Sequence, residues 1–167
     1  DYKKYPKNIN RDLSILKRFN IDFVFIPKKS DVYNYKRSKK IRLNKKDLIL
    51  CAKHRKGHFE GVLDVMDRLT KLINPKKIFM GKKDFQQFIL VKNYIKKKYN
   101  IKVIGCPTIR DKNKVALSSR NFLLKKKELF IASQIIKDLF NFKKKFKKSK
   151  KINSLLKLKK IDLEDRY

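Results

Sequence analysis

The 167-residue chain is poor in the residues that usually punctuate or cross-link a fold: four glycines, four prolines, two cysteines, two histidines and no tryptophan. Cys51 and Cys106 are too few and too isolated for a disulfide framework or a zinc site. With only His54 and His58 beside them, a metal cluster would be contrived. No apolar run approaches the roughly 18 residues that span a bilayer. The first residues lack the apolar core of a signal peptide. A reducing cytoplasm is the expected compartment, with no membrane partner.

Acidic side chains are scarce as well: 15 Asp and Glu stand against 48 Lys and Arg, a net charge of +33. Such a charge normally raises nucleic acid as a partner. Here the lysines are spread along the whole chain. Asn, Ile, Lys, Phe and Tyr are favoured together at the expense of Gly, Pro, Ala and Trp. That combination reads as a codon-composition bias acting on exposed positions, so nucleic acid is not the expected partner. A lysine-rich protein that binds RNA or another polyanion stands as the alternative from a different functional class.

What is present is enough for a folded core. The apolar fraction is 41%, near the globular range, and the length suits one large domain or two small ones. "NRDLSILKRF" (10–19) carries apolar residues at helical spacing, and "IDFVFIP" (21–27) predicts a short buried strand closed by Pro27. Residues 28–47 are polar, lysine-rich and aperiodic, a loop or weak structure. From His58, residues Phe59, Val62, Leu63, Met66, Leu69 and Ile73 share one face of a helix stopped at Asn74-Pro75. "KKIFM" is a strand, 84–98 a second amphipathic helix and "IKVIGC" (101–106) another strand. Helix, strand, helix, strand with short links predicts α/β layering on a parallel sheet. The style changes at Pro107, so the expected domains are 1–107 and 108–167. The latter opens on a loop-rich segment and continues in a lysine-laden helix from about 125 to 147.

Three short stretches could carry chemistry. In "FMGKKDFQQF" (79–88), Gly81 falls at the carboxyl end of a strand, where open α/β sheets bind ligands. Glycine there permits close backbone approach or positive φ. Lys83 supplies a cation, and a helix starting at Asp84 would aim free N–H groups and its positive end at a phosphate. The same residues also read as ordinary capping, with Asp84 as N-cap and Gln87 completing a capping box. In "ALSSRN" (116–121), Ser118, Ser119 and Arg120 could bind a polyphosphate, or could simply cap the next helix. In "HRKGHFEGV" (54–62), Arg55 could face a carboxylate, and His58 could be a base or a packed helix-start residue.

Order and spacing join the three. "RxGHFxGV", then "FxGxKDxQQ", then "PTxRxxxxxALSSRN" resembles the signature of the pantothenate synthetase (pantoate–β-alanine ligase) family. The likeness runs from Tyr5-Pro6-Lys7, similar to the family's Tyr-Pro-Arg, to about Phe122, with "IDFVFIP" and Tyr33 in register.

The resemblance implies a Rossmann-like parallel sheet of the nucleotidyltransferase superfamily, a small α+β C-terminal domain and, in the complete enzyme, a homodimer. It implies condensation of pantoate with β-alanine through pantoyl adenylate, using ATP and Mg²⁺ and releasing pyrophosphate and AMP. Gly81, Lys82, Lys83 and Asp84 then form the ATP-contacting turn, with Lys83 as the phosphate cation and Phe79 near the adenine. Gln87 is expected to bind pantoate, and Ile109 to offer backbone contacts to the base. Leu117, Ser118, Ser119 and Arg120 belong to a segment closing over the triphosphate. Lys83, Ser118, Ser119 and Arg120 are the catalytic candidates. No residue is assigned as a protein ligand of a metal.

The chain departs from the family pattern at several places. Lys82 stands for a usual Glu, Cys51-Ala52 for Glu-Gly, Lys56 for Pro and Lys114 for a frequent Gly. The family's His-x-Gly-His-type motif and first pantoate-binding glutamine belong upstream of the Tyr-Pro element, and the C-terminal domain is short. The expectation is therefore a central portion of the enzyme, inactive by itself. A degenerate remnant is the further alternative.

Overall fold

In the computed structural model of the chain, residues 8–34, 40–146 and 152–166 are described. Tyr5-Pro6-Lys7 lies outside them. The chain forms two compact units, one from Ile9 to Thr108 and the other built from Ile109 onward.

The first unit opens with α1 (Ile9–Arg18) and the single turn α2 (Lys29–Val32). A 3-10 turn at Lys45–Asp47 and the short α3 (Cys51–His54) lead to α4 (His58–Ile73). Then follow β1 (Lys77–Gly81), α5 (Phe85–Tyr99) and β2 (Lys102–Cys106). The central helix–strand–helix–strand order is the one the hydrophobic pattern predicts, and its stop signals act as expected. Asn74 ends α4 in the left-handed conformation at φ 47°, its N–H donating to the Thr70 carbonyl at 2.9 Å. Asn100 does the same for α5 at φ 55°. Asparagine tolerates this conformation, and Pro75 bars any continuation of α4.

β1 and β2 pair in parallel, Ile78 opposite Val103, Met80 opposite Gly105 and Gly81 opposite Cys106. The two-residue period sends Ile78 and Met80 against the core, while Phe79 points to the other face and is 64% exposed. The core gathers Ala52, Phe59, Leu63, Phe88, Leu90, Val91, Ile95 and Val103. Val91 and Ile95 are wholly buried, each contributing about 1.5–3 kcal/mol of burial.

Polar contacts fasten the helices. The Asp67 carboxylate, 1% exposed on α4, accepts from Tyr94 (3.1 Å), Tyr99 (2.9 Å) and the Lys98 ammonium (2.7 Å) of α5. Arg68 pairs with Asp64 at 3.0 Å, donates to the Val32 carbonyl at 3.4 Å and lies over the Tyr33 ring. These bonds hold the chain around Tyr33 on α4.

Two expectations fail here. Residues 21–27 form no strand, and Phe23 is 93% exposed. A strand exists through ladder bonds to a neighbour; among the described residues β1 and β2 pair only with each other, so this run has no partner. The capping box at the start of α5 is also absent. Asp84 is the N-cap, but at φ −93° and ψ 68° its side chain accepts no cap hydrogen bond. Asp84 is the last residue of the 3-10 turn Lys82–Asp84 that runs directly into α5, so the chain enters the helix from a tighter turn and not from the extended residue typical of a capping box.

The second unit contains the 3-10 helix Ser119–Leu123, α6 (Lys126–Phe146) and α7 (Ile152–Arg166). Its β structure among the described residues is a single antiparallel bridge, Arg110 with Ala116. α7 carries its own ion pairs, Lys160 with Glu164 and Arg166 with Asp162, and Arg166 also pairs with Asp138 of α6. No described helix is long and apolar enough to cross a membrane.

Candidate active site

The strand–turn–helix from Phe79 to Gln87 brings six candidate residues onto one short stretch: Phe79, Gly81, Lys82, Lys83, Asp84 and Gln87. Gly81 closes β1 at φ −68° and ψ 134°, an extended conformation open to any residue. A Cβ placed on it would meet nothing within 4 Å. Neither positive φ nor packing requires glycine here, so its use is the open room it leaves at the carboxyl end of the strand. Lys83 is half-exposed and lies 4.0 Å from the Asp84 carboxylate. An ion pair so exposed is worth at most about 1 kcal/mol and is easily exchanged for a stronger anion. Because Asp84 does not cap the helix, no side chain at the N-cap competes for the first N–H groups of the 15-residue α5.

Lys82 has a physical role of its own. A Cβ on Gly105 of β2 would stand 2.5 Å from Lys82 Cε and 2.7 Å from Phe88 Cζ. The lysine stem thus lies across the glycine of the adjacent strand, beside the Phe88 ring. A long aliphatic stem suits that position. Gln87 is half-buried one turn into α5 and has no hydrogen-bond partner among the described residues.

The sequence reading overlooked Gln86. Its amide NH₂ donates to the Ile49 carbonyl at 2.7 Å and to that of Asp47 at 3.3 Å, and its oxygen accepts from the Ala52 N–H at 3.4 Å. Between those groups sits Leu50, at φ 50° and ψ −129°. That conformation favours glycine and costs other residues about 1–3 kcal/mol. A glutamine next to the expected pantoate glutamine gives no local signal that it reaches 34 to 39 residues back along the chain.

Beyond this turn, Gly57 at φ 77° starts α4 and makes His58 its first residue. Glycine is required at 57 by that positive φ. Burial and, second, the Arg55 guanidinium push the His58 imidazole below its ordinary 6.5, against an opposing pull from Asp84. The His58 ring therefore holds its proton less tightly than a free imidazole, and it is tilted on Phe59 with ring centroids 4.9 Å apart.

In the second unit, Ile109 and the stretch Leu117–Arg120 are brought together by the local hairpin-like pairing. The Leu117 N–H donates to the Ile109 carbonyl at 3.0 Å. The Asp111 carboxylate accepts from the N–H groups of Asn113 and Val115, both at 2.9 Å, and shapes the loop between. Arg110 donates to the Lys114 carbonyl at 2.9 Å and lies over the Phe140 ring. The Ser133 hydroxyl donates to the Asn113 carbonyl at 3.1 Å, and Asn121 donates to the Ala116 carbonyl at 3.0 Å. Ser118 accepts from the Arg120 N–H at 3.3 Å and so caps the 3-10 helix. Ser119 is half-buried and Arg120 exposed. Lys114 sits at φ 67°, a conformation that explains why glycine suits this loop.

The parallel β1–β2 pair with α5 between its strands is part of a nucleotidyltransferase-type fold, the class to which its match with solved structures assigns it. Two solved structures share it. The pantothenate synthetase of Thermus thermophilus superposes with a TM-score of 0.88 at 26% identity, covering 99% of this chain and 61% of that one. The pantoate-beta-alanine ligase of Francisella tularensis, solved in complex with beta-gamma ATP and beta-alanine, has a TM-score of 0.75 at 35% identity over 82% of this chain and 53% of that one. A bifunctional pantoate ligase/cytidylate kinase of Prochlorococcus marinus subsp. pastoris is 43% identical over 98% of this chain and 34% of its own length. The family model for pantoate-beta-alanine ligase matches residues 1–166, and the chain belongs to that family. It spans about a third of the bifunctional relative.

Proposed function

We propose that the chain supplies the ATP- and pantoate-binding part of a pantoate–β-alanine ligase. The observation that carries this reading is the Gly81–Asp84 turn. An unobstructed glycine, a weakly paired lysine and an uncapped helix N-terminus converge at the carboxyl end of a parallel strand. In the reaction a pantoate carboxylate oxygen attacks the α-phosphorus of ATP and pyrophosphate leaves. The β-alanine amine then attacks the acyl carbon, forming the amide and expelling AMP. Charge builds on phosphate oxygens in the first step, so fixed cations and N–H donors provide most of the stabilisation. Lys83 and the first N–H groups of α5 suit that work. Ser118, Ser119 and Arg120 are suited to phosphate oxygens, and the exposed Phe79 ring to a nucleobase face. Gln87 keeps its amide available for the hydroxyl and carboxylate groups of pantoate.

Mg²⁺ binds phosphate oxygens and water with one or two carboxylates. The turn offers the exposed Asp84 carboxylate, so the residues fit an ion that arrives on the nucleotide and neutralises its charge. In this reading residues 1–107 are the nucleotide-binding part and 108–167 the start of a smaller lid domain. The complete enzyme is a cytoplasmic homodimer. Calorimetric titration of the chain with ATP tests the reading: saturable binding that Lys83→Ala abolishes supports it, and binding indifferent to that substitution removes it.

A further inference from the structure

The Leu50 turn is strained, yet little of its immediate surroundings explains why it persists. Leu50 itself is 69% exposed, and Ile49 beside it 56%, so burial does not hold the backbone in place. The turn has local bonds of its own, from the Ala52 N–H to the Ile49 carbonyl at 3.1 Å and from the Lys53 N–H to the Leu50 carbonyl at 3.2 Å, and the Gln86 amide adds a grip from outside: it bonds the Asp47 and Ile49 carbonyls before Leu50 and the Ala52 N–H after it. Immediately beyond, Ala52 enters the core cluster that also holds Phe59 of α4 and Phe88 of α5. The five residues from Lys53 to Gly57 then span the short distance between that anchor and the start of α4, and they include Arg55. The turn therefore sets one end of the segment that carries Arg55, and Gly57 with the buried Phe59 holds the other end at His58.

We propose that Gln86 is a positioning residue: its amide latches the strained Leu50 turn onto the first turn of α5 and so sets the path of the Lys53–Gly57 segment, which carries Arg55 into the start of α4 at His58. The functional meaning of that placement rests on the ligase reading above. The latch also ties the two glutamines of this helix turn to different tasks, Gln86 inward to the backbone and Gln87 toward a ligand. It explains why a bulky leucine is held in a conformation that suits glycine. The carbonyls of Asp47 and Ile49 share the Gln86 NH₂ while its oxygen serves the Ala52 N–H, a pairing of donor and acceptor that an amide provides.

The test is nuclear magnetic resonance on the ligand-free chain, comparing the unaltered protein with Gln86→Met, which keeps the side-chain length and removes every hydrogen bond. The Ala52 N–H also donates to the Ile49 carbonyl at 3.1 Å, so its exchange reports the turn as a whole, and it is expected to quicken by at least about tenfold as the turn loosens. The His58 titration is expected to move up toward 6.5 as the Arg55 charge moves away from it. The same change made in a Leu50→Gly background is expected to have a smaller effect, because glycine holds the turn without a latch. A cooperative fold with unchanged Ala52 exchange and unchanged His58 titration overturns the proposal. So does an equal loss in both backgrounds, which would mark Gln86 as generic packing. If Gln86→Met unfolds the chain, Leu50→Gly is expected to restore it, and failure to do so counts against the latch. The ATP titration fails or succeeds separately. An absent ATP signal with a shifted His58 removes the ligase reading alone, and normal ATP binding with an unmoved His58 removes only the positioning role.

Discussion

The buried Asp67 carboxylate offers the sharpest quantitative test of how the first unit is held together. Replacing it by Asn keeps the shape but removes the charge and turns an NH₂ toward groups that are themselves donors. Asp67 is 1% exposed and accepts from Tyr94, Tyr99 and Lys98. Hydrogen bonds to a charged group are worth about 1.5–3 kcal/mol each, but they do not add. The Lys98 side chain is 45% exposed, so its share is screened toward the value of a surface pair. The expected loss is about 2–4 kcal/mol. In a unit of about 100 residues, each kcal/mol lowers the midpoint by about 4–8 °C, so a fall of roughly 8–32 °C is expected.

Alkaline pH adds a second readout. Burial, then Asp67, pushes the Tyr94 and Tyr99 hydroxyls above their ordinary 10.0. Burial alone would lower Lys98, but the Asp67 hydrogen bond and charge outweigh it and raise the ammonium above 10.5. Groups raised on folding keep their protons longer in the folded state. Their stabilisation is complete below the unfolded values and is lost as pH climbs through the folded ones. The unaltered chain should therefore lose stability from about pH 10 upward, and Asp67→Asn should show a flatter slope there. Thermal melts followed by circular dichroism at pH 7 and at pH 9 to 11 measure both. A loss below about 0.5 kcal/mol, or an unchanged alkaline slope, would refute the assigned network.

Three further outcomes follow from individual positions. Lys114→Gly should stabilise the second unit by about 0.5–1 kcal/mol, the left-handed penalty less the extra backbone entropy of glycine, as read from the urea midpoint. In a complete ligase, Lys83→Ala should slow pyrophosphate release by about 100-fold. Gln87→Ala should raise KM for pantoate while leaving ATP affinity as it was, a split visible in steady-state kinetics.

The central layer of the first unit was legible because its signals are local. Apolar residues recur at helical spacing from Phe59 to Ile73, Asn74-Pro75 marks a stop, and short β-rich runs flank a second amphipathic helix. What escaped depends on distant partners. "IDFVFIP" has the composition of a buried strand, yet a strand is defined by its neighbour, and this run has none among the described residues. Asp84 and Gln87 match a capping box in spacing, but Asp84 ends a 3-10 turn that runs into α5 and its side chain makes no cap bond. α7 was unread because its apolar residues, Ile152, Leu155, Leu156, Leu158, Ile161 and Leu163, are interrupted by lysines without one clear face. The candidate site divides the same way. Gly81, Lys83 and Gln87 stand in one contiguous motif and could be nominated from order alone. Gln86 and Leu50 could not, since a latch across more than 30 residues leaves no trace in local spacing. The departures also became physical: Lys82 packs its stem over Gly105, and Lys114 occupies a left-handed position.

The central claim is that the Gly81–Asp84 turn binds the phosphates of ATP specifically, not as one lysine patch among many. The direct measurement is the affinity of the chain for ATP against tripolyphosphate and a short RNA, at two ionic strengths, with and without Lys83→Ala. The expected result is saturable ATP binding that Lys83→Ala removes, while weak, salt-sensitive RNA binding is unaffected by it. Equal affinity for all three polyanions, with Lys83→Ala without effect, would contradict the claim and leave the charge of the chain as its only ligand-binding property.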